Sequence, residues 1–425
     1  MHPVVRVNVS RVLFSTFVFL FLFSNLLSRI SGVNLNLLFY ISWVGVFVYS
    51  IRYIKLNIIT TILAFVSLFF SVYIFDPQYI LSANSWTIKD FIIPVLTAYI
   101  GYALARTAKD RAIFRDVNFV YFIAVTYGVI QQICFYMEKL GEVLPWDASY
   151  LSSVLMKPNN FLQPGGLLRF FGTMNSFVEY QVTILFLGAF LWLNREKIKP
   201  SKLLFLNMSL MFVFLLLSLE RSPLMMGLIL MLFWKFKDLI TNSKKLLNYT
   251  LASAFVSLLI ILSGDFLASN SLTSGAYQRI YNVITFDLAD DSAVRERINV
   301  QWKQALELAR KNYFGIGPGR LSPATKEINP EGYVGPHNNF LAIYLAYGFL
   351  GFFLFAMLLG LGIWYFSYLN DEYRYFGYGM ILAFASMAMF NMPYIGKQGI
   401  VFFLIFGFLT GQKPCRKLVE RFTGL

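Results

Sequence analysis

The first candidate for chemistry is a histidine that stands where a hydrophilic segment meets a hydrophobic one. His337 lies in the segment PHNNF and is followed by the apolar run FLAIYLAYGFLG. An imidazole with an unperturbed pKa of about 6.5 can accept a proton near neutral pH. Pro336 fixes the approach of the chain, so His337 and Asn338 start the next helix, where backbone amides are unpaired. The alternative is that His337 has only a structural role.

The second candidate is a group of arginines that we place on the same side of a membrane as His337. Guanidinium groups bind phosphate through paired hydrogen bonds. Arg221 is the basic residue of the tight turn SLERSP between two apolar runs, at the level where a lipid-linked phosphate would lie. Alternatively, Arg221 pairs with a neighbour such as Glu220 or extends toward lipid headgroups. The whole group is Arg169, Arg221, Arg279, Arg295, Arg297, Arg310 and Arg320.

Two further features carry weaker signals. Glu179 lies about two turns inside an apolar run, where a carboxylate is costly unless it is paired or faces water. Pairing with an arginine such as Arg169 or Arg221 and a direct role are both open. The segment GIGPGR, residues 315–320, fits neither a Walker nor a dinucleotide motif. It predicts a tight turn that returns the chain to the membrane, and its amides could also face an anion.

The composition defines the class of protein. Of the 425 residues, 57% are hydrophobic and 18% are aromatic, which is too apolar for a soluble chain of this length. The net charge of +14 is divided among separate short loops, so we do not expect nucleic-acid binding. With two cysteines and two histidines, we expect no zinc site and no other cofactor, although a divalent ion held by carboxylates stays open.

We predict an all-α fold, a polytopic membrane helix bundle of about twelve transmembrane helices. About twenty apolar residues cross a bilayer as a helix, and twelve such runs occur. The eighth run is short, and the tenth is so long that we expect a break at the step from Gly348 to Gly351. The predicted spans are residues 12–27, 35–51, 56–75, 88–105, 117–137, 173–193, 203–219, 223–234, 246–263, 338–369, 376–392 and 399–410.

Lys and Arg concentrate in alternate connections, which predicts that both termini are cytoplasmic. We interpret the N-terminal apolar run as a retained span because it has no small-residue cleavage site. Residues 1–425 then form a single integral membrane domain with two long periplasmic loops, 138–172 and 264–336. Long loops in compact bundles are more often functional than not. Residues 337–425 are expected to close the site.

The second loop contains a predicted amphipathic helix, residues 293–311. Asp291 or Ser292 can cap its start. We expect this helix to lie over the membrane with its tryptophan face down and its arginines available to a cavity. The apolar positions that recur at helical spacing are Ile298, Trp302, Leu306 and Ala309.

Together these pieces resemble the O-antigen ligase/polymerase superfamily, integral membrane glycosyltransferases that act on polyprenyl-pyrophosphate-linked glycans. The resemblance rests on the order R…W…A…GIGPGR…PHNNFLAIYLAYGFLG, with weaker similarity in RFFGTMNS and SLERSP. Two residues depart from the commoner pattern: Glu220 replaces a small residue, and Tyr347 replaces an acidic one. The residues that carry the order are Arg297, Trp302, Ala305, Gly315, Gly317, Gly319, His337, Asn338, Gly348 and Gly351.

The resemblance implies transfer of a glycan from an undecaprenyl-pyrophosphate carrier to an acceptor hydroxyl, on the periplasmic face of the bacterial inner membrane. We expect turnover without a metal because the sequence shows no strong cluster of ligands. Arginines would offset the charge of the leaving pyrophosphate. His337, as a catalytic residue beside Arg221, would accept the hydroxyl proton or orient the acceptor. The residues expected to bind the substrate or its pyrophosphate are Arg169, Arg279, Arg297, Arg320, Asn338 and Glu179.

Three activities fit this pattern to different degrees. We favour a polymerase of lipid-linked repeat units over a ligase that transfers the glycan to a lipid A-core acceptor. A glycolipid transporter would also have about twelve helices, but it would show short loops and polar residues near the midplane. The expected partners are the glycan donor, the glycan acceptor and membrane lipids, with a chain-length regulator and a flippase as further candidates.

Overall fold

A computed structural model of the chain describes residues 9–72, 88–107, 111–139, 173–174, 177–198, 202–218, 221–241, 297–318, 337–390 and 397–415. Within these ranges every regular element is helical, in agreement with the predicted all-α class. The α-helices are α1 (Val9–Ser31), α2 (Asn36–Ile51), α3 (Ile58–Phe70), α4 (Ile88–Thr107), α5 (Arg111–Lys139), α6 (Phe177–Leu193), α7 (Lys202–Ser218), α8 (Arg221–Thr241), α9 (Lys303–Lys311), α10 (Asn339–Phe366), α11 (Asp371–Phe390) and α12 (Lys397–Thr410).

Eleven of the predicted spans coincide with described helices. Helix α9 falls within the predicted amphipathic helix of residues 293–311, which we call the lid helix or lid. The predicted span 246–263 lies outside the described residues. The short eighth run belongs to a longer helix, α8, because the helix continues past the apolar residues into a charged segment. In the described part, three helices are long and apolar enough to cross a membrane: Val9–Ser31, Arg111–Ile133 and Asn339–Phe366. The number of twelve spans stays a prediction.

The chain divides into two compact units, Met1–Tyr53 with Ala103–Leu224, and Ile54–Tyr102 with Met225–Leu425. In the first unit, α5 packs against α1, α6 and α7, and α1 packs against α2. The Tyr121 hydroxyl of α5 donates to the Ile184 carbonyl of α6 at 3.0 Å, and the Tyr180 hydroxyl of α6 donates to the Ala124 carbonyl of α5. Side-chain bonds to backbone carbonyls can join helices in lipid, where the hydrophobic effect does not.

The long helix α10 lies at the centre of the second unit, where it packs against α3, α9, α11 and α12. At its carboxyl end the Tyr365 hydroxyl donates to the Gln412 carbonyl at 2.8 Å, and the Cys415 amide donates to the Tyr368 carbonyl at 2.7 Å. The carboxyl ends of α10 and α12 therefore lie side by side. The opposite end of α10 carries His337.

Candidate active site

His337 precedes α10 in a strained backbone conformation. Its φ is 40°, and it is the one non-glycine residue with positive φ in the described part of the chain. Asn338 follows in an extended conformation and caps the helix: its Oδ1 accepts from the Leu341 amide at 3.0 Å, and its carbonyl accepts from Ala342. Left-handed backbone is uncommon outside glycine, with histidine among the residues that adopt it more readily. The half-buried His337 is therefore held at the amino end of a capped helix.

The predicted break in the tenth span is confirmed. Gly348 has φ 69° and ψ −168° inside α10, a combination open almost only to glycine. It separates an amino-terminal half, residues 339–347, from a carboxyl-terminal half, residues 349–366. The break leaves backbone groups without helical partners, and such groups are costly to bury unless they are paired.

The GIGPG loop supplies those partners. The Ile316 amide donates to the Leu345 carbonyl at 2.7 Å, and the Gly317 amide donates to the Ala346 carbonyl at 3.1 Å. In the other direction, the Phe349 amide donates to the Tyr313 carbonyl at 2.9 Å. The loop therefore caps the first half of α10 and joins the second half.

This contact leaves no room for side chains at two glycines. A Cβ on Gly315 would lie 2.6 Å from the Gly348 nitrogen, and a Cβ on Gly348 would overlap the Tyr313 carbonyl oxygen. The amides of Gly315, Ile316 and Gly317 all donate to backbone carbonyls, the first of them to Asn312 at 3.0 Å. The suggestion that these amides face an anion is therefore wrong for these three positions. The bond from Gly315 to Asn312 closes a turn at the start of the motif, and the return of the chain to the membrane stays a prediction.

An aromatic cluster around Tyr347 fixes the carboxyl end of the first half of α10. Tyr347 is buried, and its hydroxyl donates to the Phe70 carbonyl of α3 at 3.2 Å. Its ring stacks on Phe70 with centroids 4.3 Å apart and meets the edge of Phe91 at 5.1 Å. In this chain, the residue that departs from the family pattern thus serves in helix packing.

The lid helix begins with a turn type that the sequence did not predict, and the expectation that its tryptophan face lies on the membrane stays a prediction. A π-helical turn, Arg297–Trp302, precedes α9, and residues 293–296 lie outside the described part. The π turn changes the angular spacing of the side chains. The face turned inward consists of Gln301, Ala305, Leu308 and Ala309, whereas Ile298 and Leu306 of the predicted face are exposed. Of that predicted face, Ala309 is buried and Trp302 is half-buried.

The predicted site residues are distributed over both units. His337, Asn338 and Arg297 belong to the second unit, where α9 packs on α10. Arg221 begins α8 in the first unit. The placement of Glu179 about two turns inside a span is wrong, because the helix begins only at Phe177 and Glu179 lies half-buried in its first turn, also in the first unit. Arg169, Arg279 and Arg320 lie outside the described residues. The described residues contain no cluster of three or more metal-ligating side chains.

Sequence reasoning missed two features: the pairing of the GIGPG loop with the helix break, and the cluster around Tyr347. The signal for the first was present, since a glycine-rich turn and a glycine in a long apolar helix both indicate non-helical backbone that needs partners. No pattern in the sequence connects Tyr347 with Phe70, because the two residues are far apart in the chain.

Helical architecture and apolar spans define a multi-pass membrane protein. Residues 206–356, a little over a third of the chain, match the family described as O-antigen ligase, Wzy_C. This match supports membership of the O-antigen ligase/polymerase superfamily, and with it a membrane enzyme of the ligase or polymerase type. The matched segment contains Arg221, Arg297 and His337, whereas Arg169 and Glu179 precede it. A comparison with curated proteins gave no match.

Proposed function

We propose that the chain is a membrane glycosyltransferase that polymerises undecaprenyl-pyrophosphate-linked repeat units on the periplasmic face of the bacterial inner membrane. The observation that carries this proposal is the match to the O-antigen ligase family across a segment that includes His337. The strained conformation of His337 supports a site there, because such residues cluster at active sites.

In the proposed reaction, His337 accepts the proton of the acceptor hydroxyl. The hydroxyl oxygen bonds to the anomeric carbon of the donor sugar. The bond from that carbon to the pyrophosphate oxygen breaks, and the lipid pyrophosphate leaves with the electron pair. Arg221 and Arg297 offset the charge that develops on the pyrophosphate. Asn338 would contribute its amide nitrogen, since its Oδ1 caps α10. The further ligands in this proposal are Arg169, Arg279, Arg320 and Glu179.

The test must separate the imidazole from the backbone conformation at His337. His337→Ala removes both the base and a residue type that tolerates positive φ. His337→Asn and His337→Gly keep a residue suited to the left-handed region without an imidazole. If the imidazole is the base, all three variants should lose about 10²- to 10⁴-fold in turnover of a lipid-linked repeat unit by the reconstituted protein. Near-normal turnover in the Asn and Gly variants would contradict the proposed base and reduce His337 to a structural role.

Arg221 has a matched control in Arg374, which pairs with Asp371 at the start of α11. We expect Arg221→Ala to abolish glycan extension and Arg374→Ala to leave it nearly unchanged, since Arg374 forms a partly buried ion pair within the first turn of α11 and has no role in the proposed site. Equal activity in the two variants would remove Arg221 from the proposed site. Expression and membrane insertion are checked for both by detection of the full chain in membranes.

The description of the matched family favours a second candidate, an O-antigen ligase. The glycans made by a deletion strain distinguish the two activities. Products with a single repeat unit indicate a polymerase. Long glycan that stays on the carrier lipid indicates a ligase. Normal surface glycan would contradict both candidates.

A further inference from the structure

The segment between α9 and α10 carries an aromatic pair that is exposed in the part of the chain that the structure describes. The Phe314 side chain is 92% exposed and that of Tyr313 is 66% exposed. The backbone around them is closely packed, because Tyr313 accepts from the Phe349 amide and Gly315 fits against Gly348. Two large apolar side chains are thus presented outward by a loop whose position is fixed.

The neighbouring surface of α10 is also apolar and exposed. Phe349 is 61% exposed, and Leu350 and Phe353 are about half exposed. They lie on a helix whose length and composition suit a membrane span, so these side chains face lipid. The bond from the Phe349 amide to the Tyr313 carbonyl, at 2.9 Å, makes Tyr313 and Phe314 continuous with this lipid-facing surface.

Helix length gives the depth of this surface in the membrane. The second half of α10 runs from Phe349 to Phe366, and at about 1.5 Å per residue it is about 27 Å long. The hydrocarbon core of a bilayer is about 30 Å thick. A span formed by this half of the helix would place Phe349 near one boundary of the core, which is the level where aromatic side chains concentrate in membrane proteins. In the first half of α10, by contrast, Ala342, Ile343, Leu345 and Ala346 are buried.

The lid, which precedes the loop, also has exposed apolar side chains. Ile298 and Val300 of the π turn are exposed, and so is Leu306 of α9. Leu306 is three residues after Lys303 and four before Arg310, so an apolar side chain and two cations share one edge of the helix. This combination suits a bilayer surface that contains anionic lipids.

We infer that Tyr313 and Phe314 anchor the lid in the membrane, with Phe314 inserted at the boundary between headgroups and acyl chains. The partner is the phospholipid bilayer itself. Leu306 and the exposed apolar residues of the π turn rest on the same surface, while Lys303 and Arg310 contact anionic headgroups. The anchor holds the lid at a fixed level against α10, and it stands independently of the reaction that the protein catalyses.

Spin labels on single cysteines test this inference. The full chain, with Cys134 and Cys415 replaced by serine, receives one cysteine as Phe314→Cys, Phe349→Cys or Lys303→Cys. Each variant is labelled with a nitroxide and reconstituted in vesicles of phosphatidylethanolamine and phosphatidylglycerol. Accessibility to oxygen, which concentrates in lipid, is compared with accessibility to a water-soluble nickel chelate. Since Phe314 is almost fully exposed, its replacement should leave the packing intact.

We expect the ratio of oxygen to nickel accessibility at position 314 to match that at position 349 and to exceed that at position 303. A ratio at 314 that matches position 303 would overturn the inference, because Phe314 would then lie no deeper than the cation that contacts the headgroups and would not be inserted. An immobile label shielded from both reagents would also overturn it, because protein, such as a second copy of the chain, would then cover the aromatic pair. A Phe314→Trp variant gives a second measurement: we expect stronger quenching by lipids brominated near the headgroup than by lipids brominated near the chain end.

Discussion

The most direct test of the fold around the candidate site is the substitution Gly348→Ala. An alanine there would adopt φ 69° and ψ −168°, a conformation that costs about 1–3 kcal/mol outside glycine. Its Cβ would also overlap the Tyr313 carbonyl and lie 2.7 Å from the Phe314 Cα. These atoms belong to the backbone, so they cannot turn aside as a side chain could. The loop must move, or the break in α10 must close.

Either response removes the three backbone hydrogen bonds between residues 313–317 and α10. At about 0.5–1.5 kcal/mol each, these bonds and the strain together amount to about 3–7 kcal/mol. A change of about 4 kcal/mol corresponds to about a thousandfold shift in the equilibrium between the packed and displaced loop. We therefore expect Gly348→Ala to displace the lid, lower the melting temperature in detergent and remove glycan extension.

The matched control is Gly360→Ala in the same helix. A Cβ on Gly360 would meet no atom within 4 Å, and alanine in a helix is more favourable than glycine by about 1 kcal/mol. This variant should keep full activity and melt at the same temperature or slightly higher. Melting is followed by intrinsic fluorescence, and activity by the length of the glycan made. Equal stability and activity in the two variants would refute the reasoning about the break.

Three further predictions concern packing and charge. Tyr347→Phe should lower stability by about 1 kcal/mol because the Phe70 carbonyl loses the hydrogen bond from the Tyr347 hydroxyl. Tyr347→Ala should lower stability by about 3–5 kcal/mol because it also removes the stacked ring. Equal melting temperatures of the two variants would contradict the proposed stacking. Gly407→Val should destabilise the second unit strongly, since a Cβ there would overlap the Ala98 backbone; wild-type melting would show that α4 and α12 do not cross this closely. Burial lowers the pKa of Lys197, between α6 and α7, to about 8 from 10.5, so the charged form is disfavoured in the fold and stability should rise with pH between these values. The melting temperature of Lys197→Met minus that of the wild type should therefore decrease as the pH is raised from 7.5 to 9.5. A constant difference would contradict the lowered pKa of Lys197.

The sequence by itself determined where most helices lie, because long apolar runs in a membrane have few alternatives to helix. It also predicted the break at Gly348, since a glycine inside an overlong span indicates non-helical backbone. It identified His337 at a helix start. The extent of α8 was missed, because hydrophobicity ends at the membrane surface and helical hydrogen bonding continues beyond it.

Only the tertiary structure decided what the GIGPG motif does. The sequence left open that its amides face an anion, but three of them donate to backbone carbonyls, and two of these carbonyls belong to the broken helix. The buried face of the lid was likewise decided by packing, since the small Ala305 turns inward and Leu306 turns outward. The physical reason is the same in both cases. Composition and spacing fix which backbone groups need partners, whereas contacts between distant segments determine which partners they find.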